Sequence, residues 1–219
     1  RIFFSKSGTI PSIRDWKGLE WNPQNEITCI DWNWAHLSGT IELMWLPATV
    51  QKCGLVNGRF TAPYLYGTIE TSVLPDVLIE LDVHEHPFDG TIDIPSLPQR
   101  MELLDLSKNR FHGSLALDYL PSTFQLLRLQ GNSFSGTVSL VSLPKSLTLL
   151  HLSNNRLSGA VDLRHLPVGL KGLYLDINNF EGKTDFSKLP ESLDVLSVAD
   201  TFLSGTALSR RGQHIFSSQ

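Results

Sequence analysis

Several groups of residues in the chain have the types and spacing of chemical machinery. Asp82 and Asp105 lie 23 residues apart and, with Glu80, His84 and Glu85, make the N-terminal half acidic. Paired carboxylates are the usual equipment of general acid–base hydrolysis. The tripeptide His84-Glu85-His86 offers imidazoles as metal ligands. Cys29 and His151 are the types of a thiol nucleophile and its base. Lys108, Arg110 and Arg156 supply cations for phosphate contacts. Whether any of these groups can act together depends on the backbone that carries them.

That backbone is periodic. Glycines recur at 39, 67, 90, 113, 136, 159, 182 and 205, 23 residues apart except for a first gap of 28. Each of the first seven is followed eight residues later by a proline: Pro47, Pro75, Pro98, Pro121, Pro144, Pro167 and Pro190. Two residue types in phase over so many periods define a solenoid, in which each unit stacks only on its neighbours.

The unit reads L-x-x-L-x-L-x-x-N-x-[LF]-x-G-T-[IV]-x-L-x-x-L-P-x-x, as in "MELLDLSKNRFHG" and "LTLLHLSNNRLSG". Leu-x-Leu alternates with period two, predicting a short strand with leucines inward. One strand per unit, always entered in the same direction, builds a parallel sheet. Asn109, Asn132, Asn155 and Asn178 form one column after the strand, where a buried amide satisfies backbone groups that no sheet partner reaches. Asn154, one residue earlier, points outward and is expected to tolerate alanine. The glycine column supplies a backbone conformation where a Cβ would clash. After it come alternating apolar residues, among them Ile92 and Ile94, Leu115 and Leu117, Val138 and Leu140, Val161 and Leu163. These leave no room for a three-turn helix, so the outer side is expected to be extended or 3₁₀.

The pattern resembles the leucine-rich repeat family over residues 27–215. Leu-Ser-Gly-Thr-Ile at 37–41 is similar to the plant-type subclass, with Leu-Pro replacing its Ile-Pro. Leu-Ser-Gly-x-Val-Asp-Leu-x-x-Leu-Pro at 157–167 resembles repeats of protist, notably kinetoplastid, proteins. The expected fold is mainly β: a solenoid with a curved parallel sheet inside and an extended or 3₁₀ convex side. Its units are 27–49, 50–77, 78–100, 101–123, 124–146, 147–169, 170–192 and 193–215. An N-terminal cap at 1–26 precedes them and a tail at 216–219 follows. Five extra residues in the second unit are assigned to "APYLY" at 62–66, read as an outward bulge. Gly58, Ala35, His86 and Thr201 replace the column asparagine elsewhere, which confines the asparagine ladder to the middle.

The columns then sort the chemistry. Between the inward leucines stand Asp31, Gly54, Asp82, Asp105, Arg128, His151, Tyr174 and Ser197. Just before each strand stand Cys29, Lys52, Glu80, Leu103, Leu126, Leu149, Gly172 and Val195. His84 faces out while His86 faces in, so the two do not converge on a metal, and no metal or cofactor is expected. Cys29 and His151 are roughly 24 Å apart by strand spacing. Asp82 and Asp105 lie on an open face with Arg128 beside them, suited to recognition instead of hydrolysis. Cys29 and Cys53 point to opposite faces and are expected to be free thiols.

What remains is a surface. Leu103, Leu126 and Leu149 on consecutive strands make an apolar stripe about 10 Å wide, edged by Arg128, His151 and Tyr174, with Asp82 and Asp105 toward the N-terminal side. The reading is a non-catalytic protein-interaction scaffold, with a protein partner and no small-molecule substrate. It is a subunit or adaptor of an intracellular assembly; the alternatives are a surface or secreted recognition ectodomain, and an RNA-contacting subunit of a ribonucleoprotein. No run of 18 apolar residues predicts membrane insertion. The net charge of −4 calls for no polyanionic partner. "RIFFSKSG" is too short and polar for a secretory signal, and none of the ten asparagines lies in N-x-[ST].

Overall fold

The computed structural model describes residues 12–57 and 64–205, and the backbone alone of 214–216. Gly58, residues 62 and 63 of the inserted segment, and most of the tail lie outside the described residues.

Eight short strands run parallel in one sheet: Ile27–Asp31, Lys52–Gly54, Glu80–Asp82, Leu103–Asp105, Leu126–Arg128, Leu149–His151, Gly172–Tyr174 and Val195–Ser197. Leu19–Trp21 closes one edge antiparallel. His214–Phe216 adds a parallel strand at the other edge, one the sequence pattern does not announce. The protein is a mainly β solenoid of about seven turns. Pairing keeps every column aligned: Leu104 with Leu127, Leu127 with Leu150 in phase, and Asp105 with Arg128.

Apolar residues that alternate along each strand and return limb meet between the two walls. Leu81, Leu104, Leu127, Leu150 and Leu173 are buried, as are all eight return-limb residues named above. Phe88, Phe111 and Phe134 stack inside the coil, their ring centroids 6.4 and 6.3 Å apart. The convex side carries 3₁₀ turns at Leu43–Trp45, Thr71–Val73, Ile94–Ser96 and Leu117–Tyr119, as the short return limb requires. Gly113 shows why the glycine column holds: its φ is +89°, and a Cβ there would meet Thr91 Cγ2 at 2.9 Å.

Backbone polar groups at the two corners of the coil are satisfied by repeated devices. At the convex corner each proline carbonyl accepts from the N–H three residues on, as from Phe124 to Pro121 at 3.1 Å. Thr49, Thr123, Ser146 and Ser192 donate their hydroxyls to the carbonyl of the first residue of their own unit, one coil back, each at 2.7 Å. At the other corner the asparagine amides bridge units. Asn155 Oδ1 accepts from Phe134 N, and its Nδ2 donates to Leu129 O and Leu152 O, each at 3.0 Å. Asn109, Asn132 and Asn178 make the same set with their own neighbours.

Structure and sequence expectation differ at three places here. His86 does not interrupt the ladder: its Nδ1 accepts from Leu65 N at 3.2 Å and its Nε2 bonds Leu55 O. These are the two inter-unit bonds an asparagine makes, delivered by a ring long enough to reach across an enlarged turn. Leu65 is consequently not part of a bulge. It is buried, and Leu65–Tyr66 pairs with Gly39–Thr40 in the regular return limb. Asn154 is exposed as expected but has a φ of +54°, a left-handed conformation that asparagine tolerates and alanine does not.

Candidate functional site

The concave face is built by side chains that alternate with the core leucines. Leu103, Leu126 and Leu149 are register partners and lie side by side, each half-buried. They belong neither to the sealed core nor to open solvent. Leu149 leans over the next strand, where a Cβ on Gly172 would come within 2.7 Å of its Cδ1 and 3.0 Å of Tyr174 Cε2. The His151 and Tyr174 rings pack with centroids 4.5 Å apart. Burial lowers the His151 pKa.

Toward the N-terminal end the face turns polar. Asp105, expected to stand in solvent, is only 5% exposed. Ser107 closes over it, donating N–H at 3.0 Å and Oγ–H at 2.6 Å to Asp105 Oδ1, and Arg128 Nη1 lies 3.6 Å from Oδ2. His84 Nδ1 is 2.6 Å from Asp82 Oδ1 and 3.9 Å from Asp105 Oδ2. The hydrogen bond to Asp82 raises the His84 pKa. The register therefore brings Asp82, His84, Asp105 and Arg128 into one network, where the sequence reading joined only Asp105 to Arg128.

Donor atoms of Asp82, His84 and Asp105 lie within 4.8 Å of one another, a clustering that sequence reasoning missed because it weighed His84 only against His86. These three are the residues able to offer ligands to a divalent cation. Both carboxylates already have partners, Asp105 in Arg128 and Asp82 in the His84 imidazole. For hydrolysis the arrangement is unfavourable: Asp105 is occupied by Ser107 and Arg128. Cys29 and Cys53 are free thiols. Their register neighbours place them one residue out of phase, so they face opposite sides of the sheet, and burial pushes the Cys53 thiol up to about 12. Lys108 pairs with Glu85 at 2.5 Å, which removes it from a free basic patch.

A third feature lies at the Lys52–Gly54 strand. Beside this strand lies a hollow of about 230 Å³, with Asp31, Asn33, Lys52, Glu80, Asp82 and Leu103 in its walls; the Asn33 side chain packs where a Gly54 Cβ would stand. Lys52 Nζ sits 2.6 Å from Glu80 Oε1. The signal was present in the sequence as the carboxylates of these columns.

A parallel solenoid with 23-residue periodicity, an asparagine ladder and an apolar stripe on its inner sheet defines a class of fold before any relative is consulted. No family model matches the chain, and no curated protein matches it. Solved structures do. Pollen Receptor Kinase 3 is 23% identical, with 83% of this chain and 91% of that chain covered at a TM-score of 0.61. The Arabidopsis receptor kinase HAESA, solved with the peptide hormone IDA and the co-receptor SERK1, is 23% identical, with 76% of this chain and 28% of that chain covered at 0.59. The PEPR1–AtPEP1 structure is 20% identical, with 100% of this chain and 39% of that chain covered at 0.55. Against the larger receptors the chain spans about a third of their length. The fold is that of a leucine-rich-repeat solenoid. The resemblance to protist proteins finds no support in these comparisons.

Among the described residues no helix is long and apolar enough to cross a membrane.

Proposed function

We propose that the protein is a non-catalytic recognition module that binds a peptide or an extended protein segment along its concave face. The half-buried stripe of Leu103, Leu126 and Leu149, bordered by Arg128, His151 and Tyr174, is the observation that carries this reading. Leucines there serve neither the core nor the turns, and the same column holds Lys52 and Glu80 on earlier strands. An apolar strip rimmed by polar groups is the form of an interaction site, and arginine and tyrosine are frequent anchors. The matched receptors named with peptide hormones support a peptide partner. They also favour a surface or secreted recognition ectodomain over the intracellular subunit expected from sequence. RNA contact gains no support, since Lys108 is paired and the inner face is acidic.

Selection from a displayed library of random peptides tests the reading. Each leucine covered by a partner contributes about 1.5–3 kcal/mol. Leu126→Asp should therefore cost at least tenfold in affinity for the selected peptides while circular dichroism and the melting temperature stay close to wild type. Peptides that bind Leu126→Asp as well as wild type would place the site elsewhere. Unfolding of Leu126→Asp would make the leucine a core residue.

A further inference from the structure

The inner face is not electrically uniform along the solenoid, and its gradient identifies what should lie on it. On the N-terminal side of the leucine stripe stand Glu20, Asp31, Glu80 and Asp82. Glu20 is opposite Cys29 in the antiparallel pair, which puts it on the same face. Among the described residues on that side of the stripe, the one lysine or arginine in these columns is Lys52, already held by Glu80, and the His84 imidazole bonds Asp82. Arg128 belongs to the next pair, with Asp105. Cys29 registers the resulting potential: its thiol pKa is raised by burial first, then by Glu20 and Asp31. On the C-terminal side of the stripe the columns hold His151, Gly172, Tyr174, Val195 and Ser197, and Asp176 accepts a 2.6 Å bond from Ser153. One end of the face carries most of the carboxylates, the middle is apolar, and the other end is aromatic, with Asp176 beside it.

We propose that the occupant of the leucine stripe is an extended peptide with a cationic side chain at one end, lysine or arginine, lodged in the Gly54 hollow between Asp31 and Asp82. This rests on the peptide-binding reading above and gives it a chemistry and a direction. The hollow is continuous with the stripe because Leu103 lines both. It has the volume for one side chain, and walls whose carboxylates outnumber their lysine. An acidic side chain placed there meets Asp31, Glu80 and Asp82 directly, whereas a cationic one offsets the excess of these carboxylates over Lys52. From the Lys52–Gly54 strand to the Leu149–His151 strand there are four strand steps, about 19 Å at strand spacing, or about six residues of extended peptide. The apolar side chains of that peptide face the three leucines, and its far end reaches the His151–Tyr174 pair.

The experiment selects displayed random octapeptides on the full chain, with counter-selection on Leu126→Asp. Enriched peptides should carry arginine or lysine toward one end and apolar residues in the remainder. Their affinity should fall about fivefold or more on the double variant Asp31→Asn, Asp82→Asn, the upper range for a surface ion pair. It should also weaken as salt is added. Asparagine keeps an oxygen where Asp31 accepts from Asn33 N and Asp82 from His84 N, and an unchanged melting temperature verifies the fold. Leu126-dependent peptides that are neutral or acidic, or basic peptides indifferent to the double variant, overturn the cationic assignment and leave the peptide-binding reading standing. Recovery of no Leu126-dependent peptide overturns both.

Discussion

Replacing His86 by asparagine should flatten the acid side of the protein's stability curve. In the fold His86 is 5% exposed, edge-on to Phe88 at 5.5 Å between centroids. Its Nδ1 accepts from Leu65 N and its Nε2 donates to Leu55 O, so the ring is held as the neutral Nε2–H tautomer. A proton added at Nδ1 would face the Leu65 N–H, cancelling one bond and placing a charge in the core. Burial accordingly lowers the His86 pKa from its ordinary 6.5. The sign follows directly. A histidine whose folded pKa lies below its unfolded one binds fewer protons when folded, so its stabilisation is complete above about pH 6.5 and is lost as the pH falls. The slope approaches about 1.4 kcal/mol per pH unit for one proton.

His84, Asp82 and Glu85 surround the same turn, and His84 titrates in the opposite sense. Its pKa is raised by the bond to Asp82, so its stabilisation is present at acid pH and is lost as the pH rises through the folded value. The informative quantity is therefore the difference between wild type and His86→Asn, which removes His84 and the concave His151 from the comparison. Guanidinium unfolding followed by circular dichroism between about pH 7.5 and about pH 5 should show that difference shrinking with acid. His86→Ala should cost about 2–6 kcal/mol near pH 7.5, because two buried backbone groups lose their partners at about 1–3 kcal/mol each. A wild-type-minus-variant difference that is flat across this range would refute the tautomer assignment and with it the place of His86 in the ladder.

Two further substitutions probe the same corner of the coil. Asn155→Ala should lower stability by about 1–3 kcal/mol by stranding the Phe134 N–H and two carbonyls, whereas Asn154→Gly, at a left-handed position, should be close to neutral in the same melting experiment. Ile177 occupies the equivalent left-handed position with φ of +53° and a half-exposed β-branched side chain; Ile177→Asn should raise stability by about 1 kcal/mol, and an unchanged or lower melting temperature would mean that Ile177 has a packing role that offsets its strain.

The periodic columns were legible because each answers a demand that recurs in every turn. Inward leucines, the asparagine amide, the left-handed glycine and the turn-forming proline meet the same geometry each time, so their spacing alone discloses the strand, the corner and the return. The hydroxyl column at Thr49, Thr123, Ser146 and Ser192 was equally regular, as Leu-Pro-x-[Ser/Thr], and was passed over because serine and threonine look like ordinary loop residues. His86 was misjudged for a different reason: a ladder defined by residue type looks broken where one defined by hydrogen bonds continues. Asp105 shows where sequence reasoning stops, since its burial depends on Ser107 and Arg128 closing over it and not on its column.

This division bears on function. A column that must satisfy backbone groups or fill the coil is held to a narrow set of residues. A concave column is held to none, because those side chains close no corner and fill no core. Variation there, from carboxylates through leucines to His151 and Tyr174, cannot be ascribed to the demands of the fold. Three leucines in register on such a face would, without a partner, expose apolar surface to water with no structural return. Their persistence over three strands, beside a hollow walled by carboxylates, is the pattern expected when the composition of one face is set by what docks on it.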